Sequence, residues 1–431
     1  MNAKVPWLTT ALTGPLQQLE SIFLDKQITI ESWLREQWQL TPPPVYSSVD
    51  LRNAGFKLAP VDTNLFAAGF NNLNRVFLPL CIQAAQATFS HEYPSCKRIL
   101  IIPENHTRNT FYFESLATLQ EILQKAGYDA RVGSLNPEIT STLTVNLPSQ
   151  RSLTLTPIVR QGNRLITDDF NPCLILLNND LSGEIPSILL NLEQPIRPRV
   201  EFGWARRLKS VHFDYYADVA KDFARLIGID SWLIDPLFST CASVDFETHE
   251  GEECLVEKVD ATLTAIKKKY SEYHITEQPF VIVKADAGSY GLGVMTLKDA
   301  QEIKQLNRKQ RTKMATTKGQ QKVTKVIIQE GVYTFETWNN AVAEPVVYMI
   351  GQHVVGGFYR VHQKRGADEN LNAPGMHFEP LAFAKPCNTP ETEQVTNAQD
   401  VNRFYSYGLL ARLAALAVAR ELANLDNQPS L

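Results

Sequence analysis

The run Phe280-Val281-Ile282-Val283-Lys284-Ala285-Asp286-Ala287-Gly288-Ser289-Tyr290-Gly291-Leu292-Gly293-Val294 sets a lysine at the end of a β-like segment, with three glycines just beyond it. Glycine lets backbone N–H groups approach a phosphate with no Cβ in the way, and a lysine fixed beside them adds positive charge. This is chemistry for gripping a polyphosphate. A dinucleotide fingerprint or a Walker loop would open a helix, whereas here Val294 starts another β-like segment, so the loop belongs to neither type. Alone, the same pattern also describes an ordinary glycine-rich hairpin.

What lies downstream gives the hairpin its context. Val326-Ile327-Ile328-Gln329-Glu330-Gly331-Val332 is a strand entering a polar turn, suited to holding an adenine edge by backbone groups and a ribose by a carboxylate. The runs 343–348 and 354–361 read as adjacent strands presenting Glu344 and Arg360. Asp368-Glu369-Asn370-Leu371-Asn372 then collects the carboxylate and amide oxygens that magnesium prefers when it bridges nucleotide phosphates. In this order the groups describe an ATP site.

These groups need elements to position them. Residues 16 to 40 carry Leu16, Leu19, Ile22, Phe23, Ile30, Trp33 and Leu34 at helical spacing, and Thr41-Pro42-Pro43-Pro44 stops the pattern. The β-like run 98–102 delivers a polar loop, Glu104 to Asn109. A helix over 113–126 closed by Gly127 and a strand over 128–132 complete a β-loop-α-β unit. Residues 173–177 read as a second buried strand ending in Asn178-Asn179-Asp180. Beyond a basic stretch (Arg197, Arg199, Arg206, Arg207, Lys209), a helix over 215–227 opens the second half. Strands are expected at 280–284, 293–297, 325–329, 345–350 and 353–361, with a closing helix over 402–423. Between 302 and 325 eight basic residues face one acid, a pattern that reads as a solvated helix and loop. The expected fold class is thus α/β and α+β. Its parts are a helical segment and linker (1–44), an α/β substrate domain (45–210), and a nucleotide-binding and catalytic domain (211–431).

Composition bounds the rest. With 431 residues, 44% of them hydrophobic and 20% charged, the chain can bury large cores. Its 42 basic and 46 acidic residues leave a formal charge of −4, so no overall field favours nucleic acid or an anionic membrane. The six cysteines are dispersed without metal-ligand spacing, and the start of the chain has no continuous apolar stretch. These features predict reduced thiols, no disulfide framework and a cytoplasmic location. Small-molecule partners are expected, and homo-oligomerisation stays open.

The hairpin, hinge, arginine and acid/asparagine loop together resemble the ATP-grasp superfamily over residues 211 to 385. The resemblance implies ATP and Mg2+ as cofactors and Lys221 and Lys284 as the two phosphate lysines. It implies Gly288, Ser289, Gly291 and Gly293 as the flexible hairpin, and Gln329, Glu330 and Val332 as the hinge. Glu344, Glu369, Asn370 and Asn372 are then the metal candidates, with the choice between the asparagines open. Arg360 resembles the arginine that stabilises the transferred phosphoryl group and the acyl phosphate. Pro374 departs from the small residue that glutathione-synthetase-like members carry there.

The segments Ser48 to Lys57, Pro60 to Phe66 and Ala68 to Asn74 extend the likeness to nearly the whole chain. They resemble a proteobacterial family of glutamate–cysteine ligases with an ATP-grasp-like C-terminal half. The implied activity is formation of γ-glutamylcysteine from L-glutamate, L-cysteine and ATP through an acyl phosphate; another carboxylate–amine ligase or a non-catalytic nucleotide binder are the alternatives. An amino-acid substrate needs cations for its α-carboxylate and acids for its ammonium. Arg52, Lys57, Arg75 and Arg108 are the candidates for the first; Asp50, Asp62 and Glu104 for the second. Asn64, Asn71, Asn72, Asn74 and Asn105 could serve as neutral partners.

Overall fold

The structure is a computed structural model that describes residues 8–9, 15–105, 109–288, 293–316, 322–381 and 404–426. Three sheets converge on one cleft. A six-stranded sheet carries the order Ile196–Arg197, Leu174–Asn178, Arg98–Pro103, Asp129–Ser134, Ser152–Pro157, Leu143–Asn146, parallel except for its last pair. Its central strands are near-continuous apolar runs because helices such as Thr110–Lys125 leave little of them open to water. Their C-terminal ends, the usual ligand edge of an open α/β sheet, deliver Glu104 and Asp180 toward the cleft.

A four-stranded antiparallel sheet, ordered Phe238–Ala242, Lys325–Glu330, Val281–Ala285, Val294–Leu297, carries the lysine and the hinge. The third sheet has seven strands and forms the cleft floor. Its long hairpin joins Ala341–Ile350 to His353–His362 through Gly351, whose φ of +55° and close approach to Thr88 exclude a side chain. Tyr46–Asn53 and Leu58–Asn64 pair onto the other edge of Ala341–Ile350. Residues 46–64, grouped by composition with the first half, are therefore hydrogen-bonded into the sheet of the second half. A pass along the sequence cannot see a pairing between residues about 300 apart.

The helix Phe404–Asp426 is apolar on every side, and each residue from Tyr405 to Ala419 is buried. It packs against the seven-stranded sheet and the helix Lys209–Ile227. Its charges are paired: Arg412 bonds Glu31 of the helix Gln27–Leu40 at 2.7 and 2.8 Å, and Glu421 receives Arg207 at 3.0 and 3.1 Å. Among the described residues no helix is long and apolar enough to cross a membrane.

One expectation is corrected. Cys96 and Cys173 form a disulfide, with Cα atoms 5.5 Å apart. They precede neighbouring strands of the six-stranded sheet, so the pairing of those strands brings together residues 77 apart in sequence. One premise for placing the chain in a reducing compartment therefore falls. Cys81, Cys241 and Cys254 are free, and Cys387 lies outside the described residues.

Candidate active site

The cleft has two halves that share Asp50, Asp62, Arg360 and Asn372. One half is lined by Lys209, Ile282, Lys284, Gly288, Gln329 and Val332. Lys284 reaches it because the strand Val281–Ala285 alternates its side chains; Nζ donates to Gln329 Oε1 at 2.7 Å and to the Val61 carbonyl at 2.9 Å. Burial lowers the Lys284 pKa to about 8 against the attraction of Asp62, and Lys209 and Arg52 add repulsion. A phosphate brought here would restore the missing counter-charge.

Lys209 was not among the sequence candidates. It opens the helix Lys209–Ile227, whose start is tied to the glycine loop: the buried Asp286 accepts from Ser210 N and Oγ, both at 2.7 Å, and from Lys325 at 2.9 Å. Gly288, at φ +112°, donates to the Trp204 carbonyl. These links bring Lys209 Nζ to within 3.3 Å of Asp62 and 3.6 Å of the Trp204 ring centroid. Burial lowers its pKa even though Asp62 opposes the change. Burial would raise the Asp62 carboxyl, yet Lys209 and Lys284 hold it below its usual range.

Lys221, expected as the second phosphate lysine, is corrected. It lies 12 residues further along the same helix, 58% exposed, beside Asp218 at 3.5 Å. The only sequence hint of Lys209 is that it ends a basic run after an aromatic pair, Phe202 and Trp204.

At the junction, cross-strand register decides the geometry. Glu344 faces Arg360, and Arg360 faces Phe378 on the next strand. The following rank reads Asp62, Asp50, Val346, Phe358, and the one after it Asn64, Ser48, Tyr348. Arg360 donates to Asp50 at 2.7 Å and Glu344 at 2.5 Å, while its buried Nε has no partner among the described residues. Burial works against the Arg360 charge, but the two acids hold its pKa above the ordinary value. For Glu344 burial is outweighed by Arg52 and Arg360, which lower its pKa; for Asp50 burial wins and raises it.

Several other sequence candidates have different positions from those expected. Arg52 is committed: it bonds Glu344 at 2.8 Å, the Val332 and Ala367 carbonyls at 3.3 and 3.2 Å, and the Glu369 carbonyl at 2.6 Å. It ties hinge, floor and acid/asparagine loop together rather than waiting for a substrate carboxylate. Lys57 is fully buried against Glu330 at 2.8 Å, and Glu330 also accepts from Trp232 and the Leu237 N–H. Both carry charge inside a core and pair with each other, so Lys57 is no substrate ligand and the Glu330 carboxylate is already taken. Glu369 turns to Arg365 at 2.7 Å and the Gly366 N–H, away from the cleft. Asn71 lines a separate small cavity, Arg75 is exposed beside Glu121, and Asn105 is exposed. Asn64 lines the far half of the cleft. Gly293 faces Ala285 across the hairpin, while Ser289, Gly291 and Arg108 lie outside the described residues.

Among the described residues no three His, Cys, Asp or Glu side chains are grouped to hold a metal ion by themselves. The junction nevertheless offers hard oxygens from Glu344, Asn370 and Asn372, with Asp50 and Asp62 nearby. This donor set fits magnesium shared with nucleotide phosphates.

A family model described as glutamate–cysteine ligase matches residues 20–422. The chain belongs to the glutamate–cysteine ligase family. Among solved structures, the ligase is 57% identical to a protein from Methylobacillus flagellatus KT provisionally named gamma-glutamylcysteine synthetase. The match has a TM-score of 0.90 and covers 98% of this chain and 99% of that one. Two others are far more distant. A glutathione synthetase-like effector from Globodera pallida is 10% identical, with TM-score 0.40 over 83% of each chain. D-alanyl-alanine synthetase A from Vibrio cholerae O1 biovar eltor is 9% identical, with TM-score 0.32 over 75% of this chain and 81% of its own. No curated protein matches.

Proposed function

We propose that the ligase joins the γ-carboxylate of L-glutamate to the amino group of L-cysteine at this cleft, with ATP converted to ADP and phosphate. A carboxylate resists attack by an amine, and transfer of the ATP γ-phosphoryl to it gives an acyl phosphate, whose carbonyl carbon the amine attacks to form the amide as inorganic phosphate leaves with the bridging oxygen. The observation that carries the assignment is Arg360, buried where the two halves meet, with one N–H unpaired among the described residues. An unpaired buried donor is costly, and an oxyanion that draws the guanidinium toward the junction would satisfy it. Lys284 and Lys209 lie on the side where the phosphates would enter, and Asp50 and Asp62, shared by both halves, are within reach of an ammonium in the other.

Glu344, Asn370 and Asn372 would hold magnesium, whose contribution is neutralisation of phosphate charge. Arg360 then steadies the transferred group, an electrostatic contribution of about 3 to 4 kcal/mol for one well-placed donor. Arg52 keeps Glu344 oriented from behind. No nucleophile from the protein is required. The partners on this reading are small molecules only.

The test is ADP release coupled to product mass, with ATP and magnesium present and each amino acid omitted in turn. Release that requires both glutamate and cysteine, together with γ-glutamylcysteine in the product, supports the proposal. Release without an amine, or a phosphorylated end product, overturns it.

A further inference from the structure

The floor of the far half of the cleft is divided along its strands. Asp62, Asp50, Asn64 and Ser48 come from the strands on one side; Val346, Phe358 and Phe378 come from the strands on the other, and Met376 adds to them. Arg360 lies on the same strand as Phe358, one rank further along, with Glu344 across from it on one side and Phe378 on the other. A free amino acid laid on this floor can set its ammonium over Asp50 and Asp62 and its side chain over the apolar strip, with Glu104 and Asp180 of the six-stranded sheet lining the same half. The Tyr348 hydroxyl at the edge of that strip is engaged with Ser48, and Val346, Phe358, Phe378 and Met376 offer a carboxylate no donor, so glutamate is directed to Arg360 and the strip is left to the other amino acid. Sulfur is polarizable and packs well against aromatic edges and thioethers, while a hydroxyl of similar size loses hydrogen bonds there.

Resting on the ligase reading above, we infer that Val346, Phe358, Phe378 and Met376 form the pocket for the acceptor's side chain, with Phe378 setting its size limit. The acceptor class is α-amino acids with a small, uncharged, weakly polar side chain. Val346 and Phe358 belong to the buried interior of the sheet and cannot withdraw. Phe378 lies on the four-residue edge strand His377–Pro380, 36% exposed, its ring edge-on to Phe358 at 4.9 Å. It is the wall whose truncation enlarges the pocket without opening the core.

The experiment is steady-state ligation by wild type, Phe378→Leu and Phe378→Ala at saturating ATP and glutamate. L-Cysteine, L-2-aminobutyrate, L-serine and L-methionine serve as acceptors, and the ATP and glutamate KM values are measured in parallel. Wild type is expected to prefer 2-aminobutyrate to serine. Phe378→Ala should lose about tenfold or more in kcat/KM for cysteine, gain on methionine, and leave the ATP and glutamate KM values unchanged, with Phe378→Leu intermediate. An unchanged cysteine-to-methionine ratio in both variants, a shift confined to ATP or glutamate, or a wild-type preference for serine overturns the inference while leaving the ligase reading standing. A wild-type protein that ligates none of the four overturns both.

Discussion

Lys284 illustrates how one residue carries a pH signature. Its depressed pKa, about 8, means that the free protein loses this positive charge as pH rises through that value, and the grip on phosphate proposed for it would go with it. The kcat/KM for ATP should therefore be level near neutrality and fall above about pH 8, since this ratio reports the free enzyme. In Lys284→Met the ratio should start about 10- to 100-fold lower and lack that limb, because a charge-assisted contact of about 1.5 to 3 kcal/mol is missing at every pH. A limb that persists in the variant assigns the titration to another group. Arg360, held in its charged form by Asp50 and Glu344, contributes no titration in this range.

Among the elements, the link that Arg52 makes matters most. From the strand Tyr46–Asn53 it spans the hinge carbonyl of Val332, the acid on Ala341–Ile350 and the loop carbonyls of Ala367 and Glu369. As a candidate for the substrate α-carboxylate, alongside Lys57, Arg75 and Arg108, Arg52 would on replacement by alanine be expected to raise mainly the glutamate requirement. With these bonds the expected outcome changes: the variant should raise the requirements for ATP and magnesium together. It should also lose about 3 to 5 kcal/mol of stability, because Glu344 keeps only one of its two buried arginines. Arg52→Lys should recover only part of this, since a point charge cannot span a side chain and three carbonyls. Steady-state kinetics with each substrate varied, beside urea unfolding, checks it; an effect on glutamate alone with unchanged stability restores the earlier assignment.

Across the whole molecule, the buried pair of Arg207 and Glu421 ties the last helix to the segment that leads into Lys209. Arg207 also donates to the Thr63 carbonyl at 2.8 Å, one residue from Asp62, and His212 contacts Thr63 Oγ1 at 2.9 Å. Burial would raise the Glu421 carboxyl, yet Arg207 and His212 hold it down at about 2. A depressed carboxylate contributes stability that is present above its unfolded pKa of about 4.5 and lost as pH falls toward 2. A carboxylate held this far below its ordinary range contributes on the order of 3 kcal/mol. Urea unfolding of wild type should therefore weaken between pH 4.5 and 2 more steeply than that of Glu421→Gln, which should be less stable at pH 7 and flatter below it. Parallel pH profiles in the two proteins would remove Glu421 from this role.

By itself the sequence determined whatever depends on neighbours along the chain. The strand ending at Lys284 and Ala285, the strand Lys325–Glu330, the Glu344/Arg360 hairpin and the closing helix are all local patterns of alternation or periodicity, and the structure has these elements within a few residues of their expected ends. Only tertiary structure decided which charges are available to a ligand. Lys209 and Lys221 share a helix, but 12 residues separate them by about 18 Å along its axis and about 120° around it, so one faces the cleft and the other solvent. Lys57 and Arg52 read as substrate ligands because residue type carries no record of burial or of a partner nearly 300 residues away. Pairing at that range placed residues 46–64 in the sheet of the second half, and a separate pairing in the six-stranded sheet brought Cys96 to Cys173. Side-chain direction and pairing across sheets depend on packing of the whole chain, which no local window contains.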